Sequence, residues 1–117
     1  MTDSIFRIFA FLALFESIFM IKNISEWKSR VVYQIITDRF YKGHGDYSNC
    51  KNLYKRCGGT LQGITEKLEY IQNLGMEAIW ISPLCKNRPE DYHGYGCINL
   101  YRIDDWIGNI ETLNNLA

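Results

Sequence analysis

A chain of 117 residues is bounded to one domain at most, and its 13 basic and 13 acidic side chains leave no formal net charge. With no basic patch to attract phosphates, nucleic acid is excluded as the expected partner. An apolar fraction of 47%, an aromatic fraction of 15% and only two prolines argue against disorder, and they supply core material and the ring faces from which sugar-binding surfaces are made.

Residues 1–26 stand apart. The stretch IFRIFAFLALFESIFMI is strongly apolar, with Arg7 near its start and Glu16 inside it. Its uninterrupted core, residues 8–15, is too short to span a bilayer, which needs roughly 20 residues. It suits the apolar centre of a secretory signal peptide, although Asp3 precedes it and no clean small-residue cleavage site follows. A membrane anchor and a buried or interfacial helix are the other readings. Asn23-Ile24-Ser25 is a glycosylation sequon, meaningful only on the secretory route.

Residues 31–37 of RVVYQIITDRF are rich in β-branched and aromatic side chains and predict a strand. The nearly continuous apolar run fits a strand buried on both faces, as in a parallel sheet. Asp38 and Arg39 follow at its C-terminal end, then a polar loop to residue 59. In TLQGITEKLEYIQNLG, Leu61, Ile64, Leu68, Ile71 and Leu74 recur at spacings of three and four, which predicts one helix over residues 60–75. Thr60 is its expected N-cap and Gly75 its C-terminal stop, while Gly63 weakens its first turn. EAIWISP is a second buried strand ended by Pro83, and residues 84–101 read as a loop containing DYHGYG. A second helix begins near Asn109, with Ile110, Leu113 and Leu116 repeating every three residues.

Strand, helix, strand implies two parallel strands joined by a helical crossover, in either an open doubly wound sheet or a (β/α)8 barrel. TDRFYKGHG matches neither a dinucleotide fingerprint nor a P-loop. In both architectures functional groups sit at the C-terminal ends of strands, which here hold Asp38, Arg39 and DYHGYG. Four cysteines, Cys50, Cys57, Cys85 and Cys97, allow three pairings and point to an oxidising compartment. Cys50 and Cys57 close the shortest loop, CKNLYKRC, and the lack of any CxxC argues against zinc.

Three blocks, in order, carry a resemblance: VVYQIITDRF, CGGTLQGITEKLEYIQNLGMEAIWISP and YHGY. From Trp27 onward the chain resembles the start of an alpha-amylase of glycoside hydrolase family 13, of the fungal and eukaryotic secreted type. The resemblance implies the first strand, first helix, second strand and start of the second helix of a (β/α)8 barrel. It implies hydrolysis of α-1,4-glucans such as starch or glycogen with retention of configuration, which uses two carboxyl groups about 5 Å apart. In the family these come from the fourth and fifth strands, with a third carboxylate after the seventh, so none is expected here and this chain alone is expected to be inactive. Calcium belongs to the full-length family. The GHGD tetrad at 43–46 offers too few ligands, and His44 is soft for calcium, so no metal site is assigned to this chain.

The resemblance further implies that Tyr92, His93 and Tyr95 line the sugar cleft. The tyrosine ring would stack on glucose, and the imidazole would hydrogen-bond its hydroxyls. Asp38 and Arg39 take a structural role at the strand exit, and Cys50–Cys57 matches the family's early disulfide. Glu66, Glu69 and Glu111 fall on solvated helix faces. Three features depart from the family: Gly96 stands where many relatives have tryptophan, the loop before Tyr92 is short, and Asn99 replaces a usual aspartate. The alternatives are a non-enzymatic amylase-like partner of an amino-acid transporter, anchored through residues 1–26, or a degenerate remnant.

Overall fold

The structure, a computed structural model, describes residues 24–117. Residues 1–23, which hold most of the apolar leader and Asn23 of the sequon, lie outside the described residues. Among those described, no helix is long and apolar enough to cross a membrane. The chain forms two units, residues 1–30 and residues 31–117. Of the first, helix α1 (Ile24–Lys28) is described, with the Arg30 guanidinium 4.8 Å from the Trp27 ring centre.

The second unit opens with strand β1 (Val32–Ile35) and the helical turn α2 (Thr37–Phe40). Helices α3 (Leu61–Glu66) and α4 (Leu68–Asn73) follow, then strand β2 (Ala78–Ile81). A hairpin of β3 (Cys85–Asn87) and β4 (Cys97–Ile103) precedes helix α5 (Ile110–Leu116). β1 and β2 pair in parallel, with Val32 opposite Ala78 and Ile35 opposite Ile81. The expected crossover is therefore present, and both strands end on the same side.

Helix spacing explains the core. Ile35, Leu61, Ile64 and Ile71 are buried together, with Tyr33, Leu68, Ile79, Ile81 and Leu113 packed around them. Full burial of a Leu or Ile stabilises by about 1.5–3 kcal/mol, so this small cluster is a large share of what holds the helices to the sheet. Thr60 caps α3 by accepting the Gly63 amide at 2.9 Å. Asn109 and Thr112 exchange side-chain and backbone bonds in a capping box that starts α5.

Four expectations are corrected. The single helix over 60–75 is two, divided at Lys67, whose amide tightens onto the Ile64 carbonyl three residues back. Leu74 lies at the end of the second helix and is 47% exposed instead of joining the core. The two strands are not buried on both faces: Val32 and Gln34 on β1 and Trp80 on β2 face solvent, because the helices cover only the side holding Tyr33, Ile35, Ile79 and Ile81. Residues 84–101 are not a plain loop but largely the β3–β4 hairpin, whose register is shifted by two irregularities.

Candidate functional site

The exit of β1 builds the first part of the site. The Asp38 carboxylate is buried and accepts the backbone N–H groups of Cys57 at 2.8 Å and Gly58 at 3.1 Å. Both donors belong to the end of the CKNLYKRC loop, which the Cys50–Cys57 disulfide closes with its Cα atoms 5.0 Å apart. Arg39 lies 3.6 Å from Asp38, donates to the Leu53 carbonyl at 2.7 Å and contacts both sulfurs. Its guanidinium sits 3.7 Å from the centre of the Tyr92 ring. Arg39 therefore links the disulfide loop to the first aromatic of YHGY, through a contact that attracts by the ring's quadrupole.

The hairpin carries the second part. Cys85 pairs with Cys97, which brackets residues 86–96 at their base. Arg56 reaches across to pin the same loop. It donates to the Pro89 carbonyl at 2.8 Å, the Arg88 carbonyl at 3.1 Å and the Asp104 carboxylate at 2.9 Å. Asp104 is buried and also accepts the amides of Asn87 and Trp106. Its negative charge is thus fully paired, which a buried carboxylate requires.

On that support, Gly94 folds against the end of β2. Its φ is +86°, and a Cβ there would lie 2.4 Å from the Pro83 carbonyl oxygen, so the position admits only glycine. The fold-back leaves Tyr95 69% exposed, its ring 5.9 Å from the His93 ring. His93 Nδ1 accepts the Tyr95 amide at 2.9 Å, so the neutral ring carries its proton on Nε2. Nε2 faces Asp91 at 3.8 Å. Tyr92 is half-buried, with Arg39 over its ring and its edge against His93. The arrangement offers an exposed ring face, a directed N–H donor and a carboxylate side by side.

The remaining acids lie elsewhere. Glu66, Glu69 and Glu111 are exposed on helices. Glu66 accepts the His44 amide, and this bond holds its carboxyl below the usual carboxylate range. Asp46 accepts the Ser48 amide at 2.8 Å and faces the Lys42 ammonium at 3.4 Å. The Ser48 bonds, more than Lys42, pull its pKa down. With a lysine already against Asp46, the GHGD loop does not fit calcium. A cavity of about 250 Å³ is lined by Asp38, Arg39, Lys42, Asp46, Tyr47 and Cys57 among others, and by none of residues 91–96.

The structure thus brings Asp38, Arg39, Cys50, Cys57 and Tyr92 into one connected group, with His93 and Tyr95 beside it. Sequence reading did not single out Arg56, Asp104 or Asp91 for a role. Arg56 and Asp104 lie 48 residues apart, and no local pattern marks such a pair. Asp91 had one available signal, its place two residues before His93.

Comparison with known proteins places the chain in a family. A family model described as the alpha amylase catalytic domain matches residues 34–117. An alpha-amylase of Saccharomycopsis fibuligera is 44% identical over 81% of this chain, and alpha-amylase 2 of Schwanniomyces occidentalis is 43% identical over 78%. The chain covers 21% and 20% of those two proteins, about a fifth of their length. Among solved structures, an alpha-amylase from Malbranchea cinnamomea matches at a TM-score of 0.70 with 38% identity, over 79% of this chain and 21% of its own. The Geobacillus thermoleovorans alpha-amylase complexed with acarbose also gives 0.70, with 37% identity over 77% of this chain and 20% of its own. The parallel strands and their helical crossover are a piece of the TIM barrel of these enzymes, and the chain belongs to the alpha-amylase catalytic-domain family.

Proposed function

We propose that this chain is the N-terminal part of the catalytic barrel of a retaining α-1,4-glucan hydrolase and supplies one wall of its sugar cleft. The observation that carries the reading is the exposed Tyr95 ring beside the fixed Nε2–H of His93, on a loop folded over the end of a barrel strand. A glucose ring presents an apolar C–H face to an aromatic ring and hydroxyls to a donor at its rim. Tyr92, with one face covered by Arg39, backs the wall and sets the His93 ring. Asp38 and Arg39 act structurally, holding the Cys50–Cys57 loop against it.

The acid/base and nucleophile carboxylates have no counterparts among residues 27–117, so the 117-residue chain alone does not cleave glucan. Two disulfides suit a secreted protein, since such bonds persist outside the reducing cytosol.

The test is a hybrid in which residues 34–117 replace the matching segment of the Saccharomycopsis fibuligera alpha-amylase. The hybrid hydrolyses soluble starch, and the His93→Ala and Tyr95→Ala hybrids lose most of that activity. A folded hybrid without hydrolysis, or one indifferent to both substitutions, overturns the reading. Starch hydrolysis by the 117-residue chain alone overturns the claim that its catalytic groups lie elsewhere.

A further inference from the structure

The Asp91–His93 pair has a gap that neither residue fills. Nε2 of His93 and Oδ1 of Asp91 are 3.8 Å apart, beyond the 2.7–3.2 Å of a direct hydrogen bond. One oxygen atom can nevertheless sit within hydrogen-bond distance of both. It would have to accept from Nε2–H and donate to the carboxylate, and a hydroxyl does both.

Gly96 makes room for this arrangement. A Cβ on Gly96 would lie 1.6 Å from Asp91 Oδ2 and 3.4 Å from Asn87 Oδ1. Any side chain at 96 therefore takes the space that the Asp91 carboxylate now holds. Asn87 Oδ1 is buried and has no hydrogen-bond donor, the one such side-chain atom among the described residues. Two acceptor groups, the Asp91 carboxylate and the Asn87 amide oxygen, thus converge beside Gly96. The loop is held for the purpose at both ends, since Arg88 donates to the Gly96 carbonyl and the Asp91 amide to the Arg88 carbonyl.

We infer that Asp91 is a specificity-determining residue of the sugar wall, its carboxylate seated where Gly96 has no side chain and gripping one glucosyl hydroxyl jointly with His93 Nε2–H. This rests on the reading of Tyr92, His93 and Tyr95 as a glucan-contacting wall. It gives the glycine at 96 a reason: a bulky platform is exchanged for a carboxylate that recognises a hydroxyl.

The experiment titrates the 117-residue chain, isotope-labelled and with disulfides intact, with maltotriose and follows the Tyr95 amide and His93 ring signals. Asp91→Ala weakens binding about ten-fold, the scale of one charge-assisted hydrogen bond. Asp91→Asn, which keeps the shape and one acceptor, weakens it less. Gly96→Ala displaces the carboxylate and matches Asp91→Ala, and the double variant is no weaker than either single one. If Asp91→Ala and Asp91→Asn bind as the parent does while Tyr95→Ala does not bind, water alone fills the gap and the inference is overturned with the wall intact. Failure of the parent chain itself to shift at Tyr95 overturns the wall and the inference together. Where an isolated variant does not fold, the same substitutions in the hybrid amylase decide by kcat/KM for maltotriose. There the same order of losses supports the inference, and equal values overturn it.

Discussion

Replacing Asp38 tests how the exit of β1 is held. Its carboxylate is buried and accepts two backbone amides, from Cys57 at 2.8 Å and Gly58 at 3.1 Å. Asp38→Ala leaves the amide of half-buried Cys57 without an acceptor, while that of exposed Gly58 can turn to water. An orphaned buried donor costs about 1–3 kcal/mol, and that is the loss expected here. That is a large fraction of the roughly 5–15 kcal/mol by which small domains are stable. Asp38→Asn keeps one acceptor oxygen but sets an amide NH₂ against one of the two donors, so its loss falls to about half of that. Urea unfolding of the oxidised chain measures both, as a lowered midpoint with an unchanged slope. The loss shrinks in the Cys50→Ser/Cys57→Ser background, because the loop that Asp38 holds is then free to move. An Asp38→Ala midpoint within about 0.5 kcal/mol of the parent, the ordinary range for a surface change, refutes the reasoning.

Three further outcomes follow from the same structure. Gly94→Ala forces a side chain into a left-handed conformation costing about 1–2 kcal/mol, and adds a clash with the Pro83 carbonyl, so the unfolding midpoint falls by at least that amount. Removing the Cys50–Cys57 bond as a double serine variant costs about 2.5 kcal/mol at 25 °C by the loop-entropy relation, read from the same unfolding curves. Glu66 has a folded pKa below its ordinary 4.5, chiefly through the His44 amide. Its contribution is therefore fully present above pH 4.5 and is lost as pH falls through the lowered value. Glu66→Gln removes that part of the acid destabilisation, which parallel unfolding curves between pH 6 and pH 3 would display as a shallower decline.

Local signals in the sequence lead directly to local features of the fold. Thr60 before an apolar periodicity is a capped helix start, and Leu61, Ile64 and Ile71 at helical spacing are the buried cluster. The parallel pairing follows from two β-branched runs with a helix between them. Features that depend on distant partners were not legible. Gly63 reads as a weak point in a helix, yet the Tyr41 carbonyl lies 1.9 Å from where its Cβ would be, so the loop can approach only because the side chain is missing. The hairpin at 85–103 is hidden because its register is irregular and its strands are joined by the Cys85–Cys97 bond, which spacing alone leaves as one of several pairings. The Arg56–Asp104 pair has no sequence signal at all, although it anchors the loop that carries His93. Tyr92, His93 and Tyr95 stand in the sequence as a motif, but the Arg39 cover on Tyr92 and the tautomer of His93 depend on the fold.

The central claim is that residues 92–95 form a wall that touches glucan, and intermolecular nuclear Overhauser effects between maltotriose and the oxidised chain test it most directly. The account predicts contacts from the C–H protons of one glucose to the Tyr95 ring and from neighbouring protons to the His93 ring. Contacts confined to other exposed aromatics, such as Trp80 or Tyr101, contradict it.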